Sequence, residues 1–303
     1  MDLSTQIAGV KLKNPTMLAS GIMGVSRASL ANVIRHGAGG CLIKSISLEP
    51  RTGHPGPNVI TFEAGALNAV GYSNPGAQEA KQEFSNLKEL GAPIIASIIG
   101  QNKQEFAQLA ELFLSDQFAA VELALSCPHT PGFGTMSGQN SPANTAKITK
   151  AVKAKTKLPV WVKLSPNSPN IGEVAKAAEA AGADAISAVN TLGPGMIIDV
   201  NTAKPLIGFK IGGISGPALR PIAVRCVYDI YQAVKIPIIG IGGINTGKDA
   251  LQMMMAGATA VQIGTGIHYR GLDIFAKVNQ EITQFLETKK IKSLKELIGQ
   301  AHA

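Results

Sequence analysis

Eight short apolar runs, each followed by a stretch with helical spacing, limit what this chain can fold into more than any other feature. The runs fall at 16–20, 41–45, 94–98, 120–125, 160–164, 185–189, 238–241 and 260–263. The stretches between and after them fall at 26–36, 78–90, 104–114, 144–156, 171–181, 217–234, 246–255 and 273–287. Within one of them Val174, Ala177, Ala178 and Ala181 recur at three- and four-residue steps, so one face can lie on strands. Gly37-Ala38, Gly91-Ala92, Gly182-Ala183 and Gly257-Ala258 each stand between a helix and the next run, where glycine supplies the left-handed residue that closes a helix. Pro159 and Pro237 mark the return to extended chain. Strand and helix alternating in this way require parallel strands joined by right-handed crossovers. Eight near-equal units favour closure as a (β/α)8 TIM barrel over a doubly wound open sheet. The 303 residues suffice for that barrel as a single domain, 1–303, with no linker or second domain expected. A capping box, Ser293-x-x-Glu296, starts a last short helix.

Composition narrows the class. Charged residues are 16%, below the usual ~25%, which excludes a disordered chain. The three cysteines, Cys41, Cys127 and Cys226, are scattered and odd in number. They argue against a disulfide framework and for a reducing cytoplasm, and they are too few to hold an iron–sulfur cluster. Residues 1–13 carry no apolar signal region, and no apolar run approaches the ~18 residues of a membrane span, so a soluble cytoplasmic protein is expected. The net charge of +8 raises the question of nucleic acid. Lys147, Lys150, Lys153, Lys155 and Lys157 cluster without interleaved aromatics, as on a solvated helix face, so neither nucleic acid nor membrane is an expected partner.

Three connections are long, 49–76, 127–143 and 191–216, and all follow strands, so they gather at the end of the barrel where active sites form. Ile241-Gly242-Gly243-Ile244 and Ile263-Gly264-Thr265-Gly266 end the seventh and eighth runs, the recurrent phosphate position of such barrels. No G-x-G-x-x-G opens a helix, so a dinucleotide fold is not indicated. Lys44 and Lys163 sit inside apolar runs and need anionic or polar partners. One reading is an ion pair to a core carboxylate, with Glu122 the candidate; the favoured one is contact with an electron-rich cofactor and its substrate. Cys127 ends the fourth run, where Pro128 stops the strand and a glycine-bearing loop follows that can close over a ligand. Cys41 and Cys226 read as inert packed residues. The five histidines show no metal-binding spacing, and no metal is expected. Asn68, and Asn190 with Thr191, offer groups that can read an imide ring, or serve as turn and cap residues.

Taken in order, Ala19-Ser20-Gly21, Ile43-Lys44-Ser45, Leu67-Asn-Ala-Val-Gly71, Asn74-Pro75-Gly76, Leu125-Ser-Cys-Pro128, Val162-Lys-Leu-Ser-Pro166, Val189-Asn-Thr191, Gly212-Gly-Ile-Ser-Gly-Pro217, Gly242-Gly243 and Ile263-Gly-Thr265 resemble the class 1 dihydroorotate dehydrogenases over about residues 3 to 300. The resemblance implies FMN above the barrel, with its phosphate at Gly216, Gly242, Gly243, Gly264 and Thr265. Ser20, Lys44, Ser45, Ser97, Lys163 and Val189 would contact the cofactor as well. It implies dihydroorotate held by Lys44, Asn68, the backbone of Ala69, Val70, Gly71 and Tyr72, Asn190 and Thr191. Cys127 would take a proton from C5 while C6 delivers hydride to flavin N5, and Lys163 would stabilise the charge on the reduced ring. The product is orotate, a step of de novo pyrimidine biosynthesis. Further implied partners are a second copy of the chain and a flavin and iron–sulfur electron-transfer subunit. Two departures stand out: Ala124 and His129 occupy positions where the family usually has Asn. The Ser126-Cys-Pro-His129 form resembles the related dihydropyrimidine dehydrogenases, so that activity is the alternative. A non-catalytic phosphate-binding barrel is a third reading, which needs neither the lysines nor the cysteine.

Overall fold

The computed structural model describes residues 1–125 and 141–303. All eight apolar runs form strands: Thr16–Leu18, Gly40–Leu42, Ile94–Ile98, Ala120–Ala124, Val160–Leu164, Ala185–Ala188, Ile238–Ile241 and Ala260–Ile263. They pair in chain order, each parallel to the next, and the eighth returns to the first to close the barrel. The expected (β/α)8 architecture is therefore the observed one.

Helices cover the outside, and their ends follow the side chains. Ser26 and Thr246 form capping boxes with Ser29 and Asp249 ahead of Arg27–Arg35 and Gly247–Met255. Asn102 and Asn170 cap Lys103–Phe113 and Ile171–Ala180. The four glycines of the Gly-Ala pairs all have positive φ, as helix closure requires. The stretch expected at 78–90 is not one helix. It divides into Ala77–Glu83 and a 3-10 turn at Leu87–Leu90, because Asn86 adopts a left-handed φ of 53° between them. The Ser293 capping box is present and opens a 3-10 turn, Leu294–Glu296.

Side chains alternate along each strand, and the two parities build two separate cores. Cys41, Ile43, Val121, Leu123, Val160, Val162, Ile186 and Val261 pack outward with the helices. Met17, Leu42, Ile95, Ala120, Trp161, Ala185, Ile239 and Ala260, one from each strand, form the inner core. Ile7, Val10 and Leu12 join it from the hairpin Thr5–Ile7/Val10–Leu12, so the floor of the barrel is apolar and covered. Two residues further along the inward parity the chemistry changes. Leu42 gives way to Lys44, Ile95 to Ser97, Ala120 to Glu122, Trp161 to Lys163, Ala185 to Ser187 and Ala260 to Gln262. Only Ala19 and Ile241 keep this second layer partly apolar.

Two of the three long connections pair with each other above the barrel. Leu192–Gly195, Gly212–Ser215, Gly65–Asn68 and Val59–Phe62 make a four-stranded antiparallel sheet in that order. Most of the third connection, including Cys127 and His129, lies outside the described residues. Among the described residues no helix is long and apolar enough to cross a membrane.

Candidate active site

The second layer of the barrel opens upward into a cavity of about 490 Å³. Its size falls in the ~300–1,000 Å³ range of small-molecule sites. Strand ends supply its base: Ala19 and Ser20, Lys44 and Ser45, Ala124, Lys163, Val189, and Gln262 with Gly264. The paired loops supply its walls: Asn68, the turn Ala69 to Tyr72, Asn190, Thr191, Pro194 and Gly216. Gly242, Gly243 and Thr265 line it as well, so the structure brings nearly every residue singled out in the sequence to one place. Ser97 is the exception. It is fully buried and does not line the cavity; its hydroxyl meets the Ser45 hydroxyl at 2.8 Å and supports it from behind. Cys127 lies outside the described residues.

One end of the cavity is a backbone cradle. The N–H groups of Gly216, Gly242, Gly243, Gly264 and Thr265 have no acceptor among the described residues. Side chains are excluded here for physical reasons. A Cβ on Gly243 would stand 2.6 Å from Arg220 Cβ, and one on Gly216 2.9 Å from Gly65 Cα. Gly264 differs, since a Cβ there would meet only Ala19 Cβ, at 3.5 Å. The cradle is braced from outside. Arg220 pairs with Asp249 at 2.6 Å, and Asp249 in turn accepts the N–H groups of Asn245 and Thr246.

The two lysines have different surroundings. Lys163 Nζ stands 3.4 Å from Glu122 Oε1 and donates to Ser20 Oγ at 3.3 Å. The ion pair to Glu122 considered from the sequence is therefore present, in a residue that also lines the cavity. Lys44 has no ion-pair partner among the described residues, and burial pushes its ammonium below the ordinary lysine value. Burial also raises the Cys41 thiol to about 12 and the Cys226 thiol to about 11, which keeps both unreactive.

The wall formed by the turn Ala69 to Tyr72 is held by amides. Asn74 donates to Ser47 Oγ and Tyr72 O, each at 2.8 Å, and accepts from the N–H groups of Ser47 and Gly76. Tyr72 takes a φ of 56°, a left-handed turn inside this clamp. Asn68 donates to Gly213 O at 3.1 Å, tying the turn to the sheet. Four residues about the site escaped sequence reasoning. Asn167 exchanges hydrogen bonds with the Gly193 backbone and fixes the start of the 191–216 connection. His54 and Phe209, from different connections, stack at 3.9 Å over the cavity, and Gln262 reaches its base. A polar residue in an apolar strand was a usable signal for Gln262; the His54–Phe209 contact has none at the sequence level.

Comparison with known proteins agrees with this geometry. Residues 2–286 match the dihydroorotate dehydrogenase family. The chain is 45% identical over 302 residues to a protein of Methanocella arvoryzae, covering 100% of this chain and 98% of the relative. It is 43% identical over 304 residues to one of Methanocaldococcus jannaschii, covering 99% and 98%. A third, from Pyrococcus furiosus, is 43% identical over 301 residues, covering 99% of both chains. Each of the three is named dihydroorotate dehydrogenase B (NAD(+)), catalytic subunit. With the barrel, the glycine cradle and the two strand-end lysines in the order that resemblance requires, the chain belongs to the dihydroorotate dehydrogenase family.

Proposed function

We propose that this chain oxidises dihydroorotate to orotate in pyrimidine biosynthesis, with FMN as its cofactor. The observation that carries the reading is the pairing of two kinds of polar group in one cavity. Unpartnered backbone N–H groups of Gly216, Gly242, Gly243, Gly264 and Thr265 line it, as a phosphate needs. Lys44, Asn68 and the turn Ala69 to Tyr72 line it too, as a carboxylate and an imide ring need. FMN, when bound, supplies the acceptor for hydride from C6 of the substrate.

The chain's own groups do the rest. Gly216, Gly242, Gly243, Gly264 and Thr265 hold the phosphate, and Ser20, Ser45 and Val189 bound the ring, with Ser97 behind Ser45. Lys163 presents positive charge to the ring where negative charge develops. Lys44, Asn68, Asn190 and Thr191 orient the substrate. Cys127 is the base for the C5 proton, and it acts as thiolate, from a group whose free form titrates near ~8.5. The names of the relatives, which speak of NAD(+) and of a catalytic subunit, favour a second subunit that carries electrons from this chain to NAD. A second copy of the chain is part of the same reading.

Anaerobic mixing tests the reading. Purified protein should be yellow, release FMN on denaturation and bleach with dihydroorotate. The isolated chain should not turn over NAD. Cys127→Ala should keep the flavin but slow bleaching by ~100-fold or more, the usual loss with a general base. Dihydrouracil, lacking the carboxylate, should bleach it far more slowly, because buried donors are left unpaired. Equal bleaching by both compounds would move the activity to dihydropyrimidine oxidation, in line with the Ser126-Cys-Pro-His129 form.

A further inference from the structure

Barrel interiors of this kind are filled mainly by branched apolar side chains, yet Glu122 stands in the second layer with no solvent exposure. Its Oε2 accepts from Gln262 Nε2 at 2.8 Å. Its Oε1 has no hydrogen-bond donor among the described residues and faces only Lys163 Nζ, at 3.4 Å. A carboxylate so incompletely satisfied adds little or nothing to stability, since desolvating both charges offsets their attraction and an apolar pair would serve as well. The arrangement therefore calls for an explanation other than folding.

Position supplies one. Lys163 and Gln262 line the base of the cavity, and Glu122 contacts both without lining it. Without Glu122, the base of the cavity would present a full positive charge held, among the described residues, by Ser20 Oγ alone. With it, part of that charge is offset, and the ammonium is held by two contacts, Glu122 on the fourth barrel strand and Ser20 just past the first. We propose that Glu122 is a positioning residue that fixes Lys163 under the cofactor and offsets part of its charge, so that it sets how strongly the site prefers reduced over oxidised cofactor. The inference rests on the FMN reading above. Its physical content is that a unit charge a few ångströms from the ring, in a medium less polar than water, changes the relative binding of two redox states that differ in charge.

The test uses whole protein loaded with FMN, and the readout is the midpoint potential of the bound flavin by spectroelectrochemical titration. Glu122→Gln leaves Lys163 uncompensated and should raise the preference for reduced FMN on the order of tenfold, a shift of about +30 mV for two electrons. Lys163→Met leaves Glu122 uncompensated and should move the potential in the opposite direction. The double variant should return close to wild type. A merely structural role would lower thermal stability in the single variants without this pattern of opposite shifts and restoration. If either single variant fails to fold, the double variant decides. A folded double variant with near wild-type potential supports compensation, and one that fails to fold or keeps a displaced potential overturns it. Wild-type protein that binds FMN beside single variants with unshifted potentials overturns the inference and leaves the cofactor reading standing. Wild-type protein that takes up no FMN overturns both.

Discussion

Lys44 and Lys163 look alike in the sequence, each a cation inside an apolar run, and the fold separates them. Lys163 is held by Glu122 and Ser20, whereas Lys44 has no ionic partner among the described residues and burial pulls its pKa below 10.5. The sign of the consequence follows from linkage. The unfolded chain holds this proton more tightly than the folded one, so charged Lys44 costs stability at neutral pH, and that cost fades as pH rises through its folded pKa. A bound anion reverses the preference by favouring the ammonium. Orotate affinity should therefore fall as pH rises through the free-site pKa of Lys44, in a window that begins below 10.5. Lys44→Met should flatten that dependence and weaken orotate by roughly 10- to 100-fold, the worth of one charge-assisted hydrogen bond. Flavin spectral perturbation titrated with orotate across pH checks both. The lysines themselves were legible from the sequence because a charge in a strand is conspicuous. Which lysine takes the carboxylate was not, since Glu122 was a candidate for both and its further contact, with Gln262, joins strands 140 residues apart.

At the scale of elements, the strand runs and helix spacing were readable because each is a local pattern, and their ends agree with the structure to within a few residues. The sheet built from the long connections was not. Leu192–Gly195 contains Gly193, Pro194 and Gly195, which read as a turn. Its neighbour pairs with Asn68 across 145 residues, so nothing local announces it. The hairpin at the N-terminus did leave a signal, Thr-Gln-Ile and Val-Lys-Leu about Ala8-Gly9. Both turn residues have positive φ, as a two-residue hairpin turn demands, although Ala in place of Asn weakens the pattern. Asn74 shows how such connections are held. It is 8% exposed and its amide makes four hydrogen bonds within one loop pair. Asn74→Ala should cost about 2 kcal/mol or more in stability, since it strands several buried groups. It should also loosen the turn at Tyr72, raising the orotate Kd about tenfold while FMN affinity holds. Denaturant unfolding and ligand titration on the same variant separate the two effects.

Seen as a whole, the molecule keeps stability and chemistry on different levels of one interior. The floor is an apolar layer around Trp161, which is fully buried. Trp161→Ala should lower stability by about 3–5 kcal/mol, the usual loss for a large core aromatic. The potential of bound FMN and the orotate Kd should stay near wild type, because the floor lies beneath the polar layer that meets the cavity. Chemical denaturation alongside a flavin titration checks that separation. The covered floor has a second outcome, which concerns traffic. Among the described residues the barrel floor is closed, so departing product and arriving substrate both cross the upper side of the cavity. Release of product and entry of substrate then compete for the same side of the molecule.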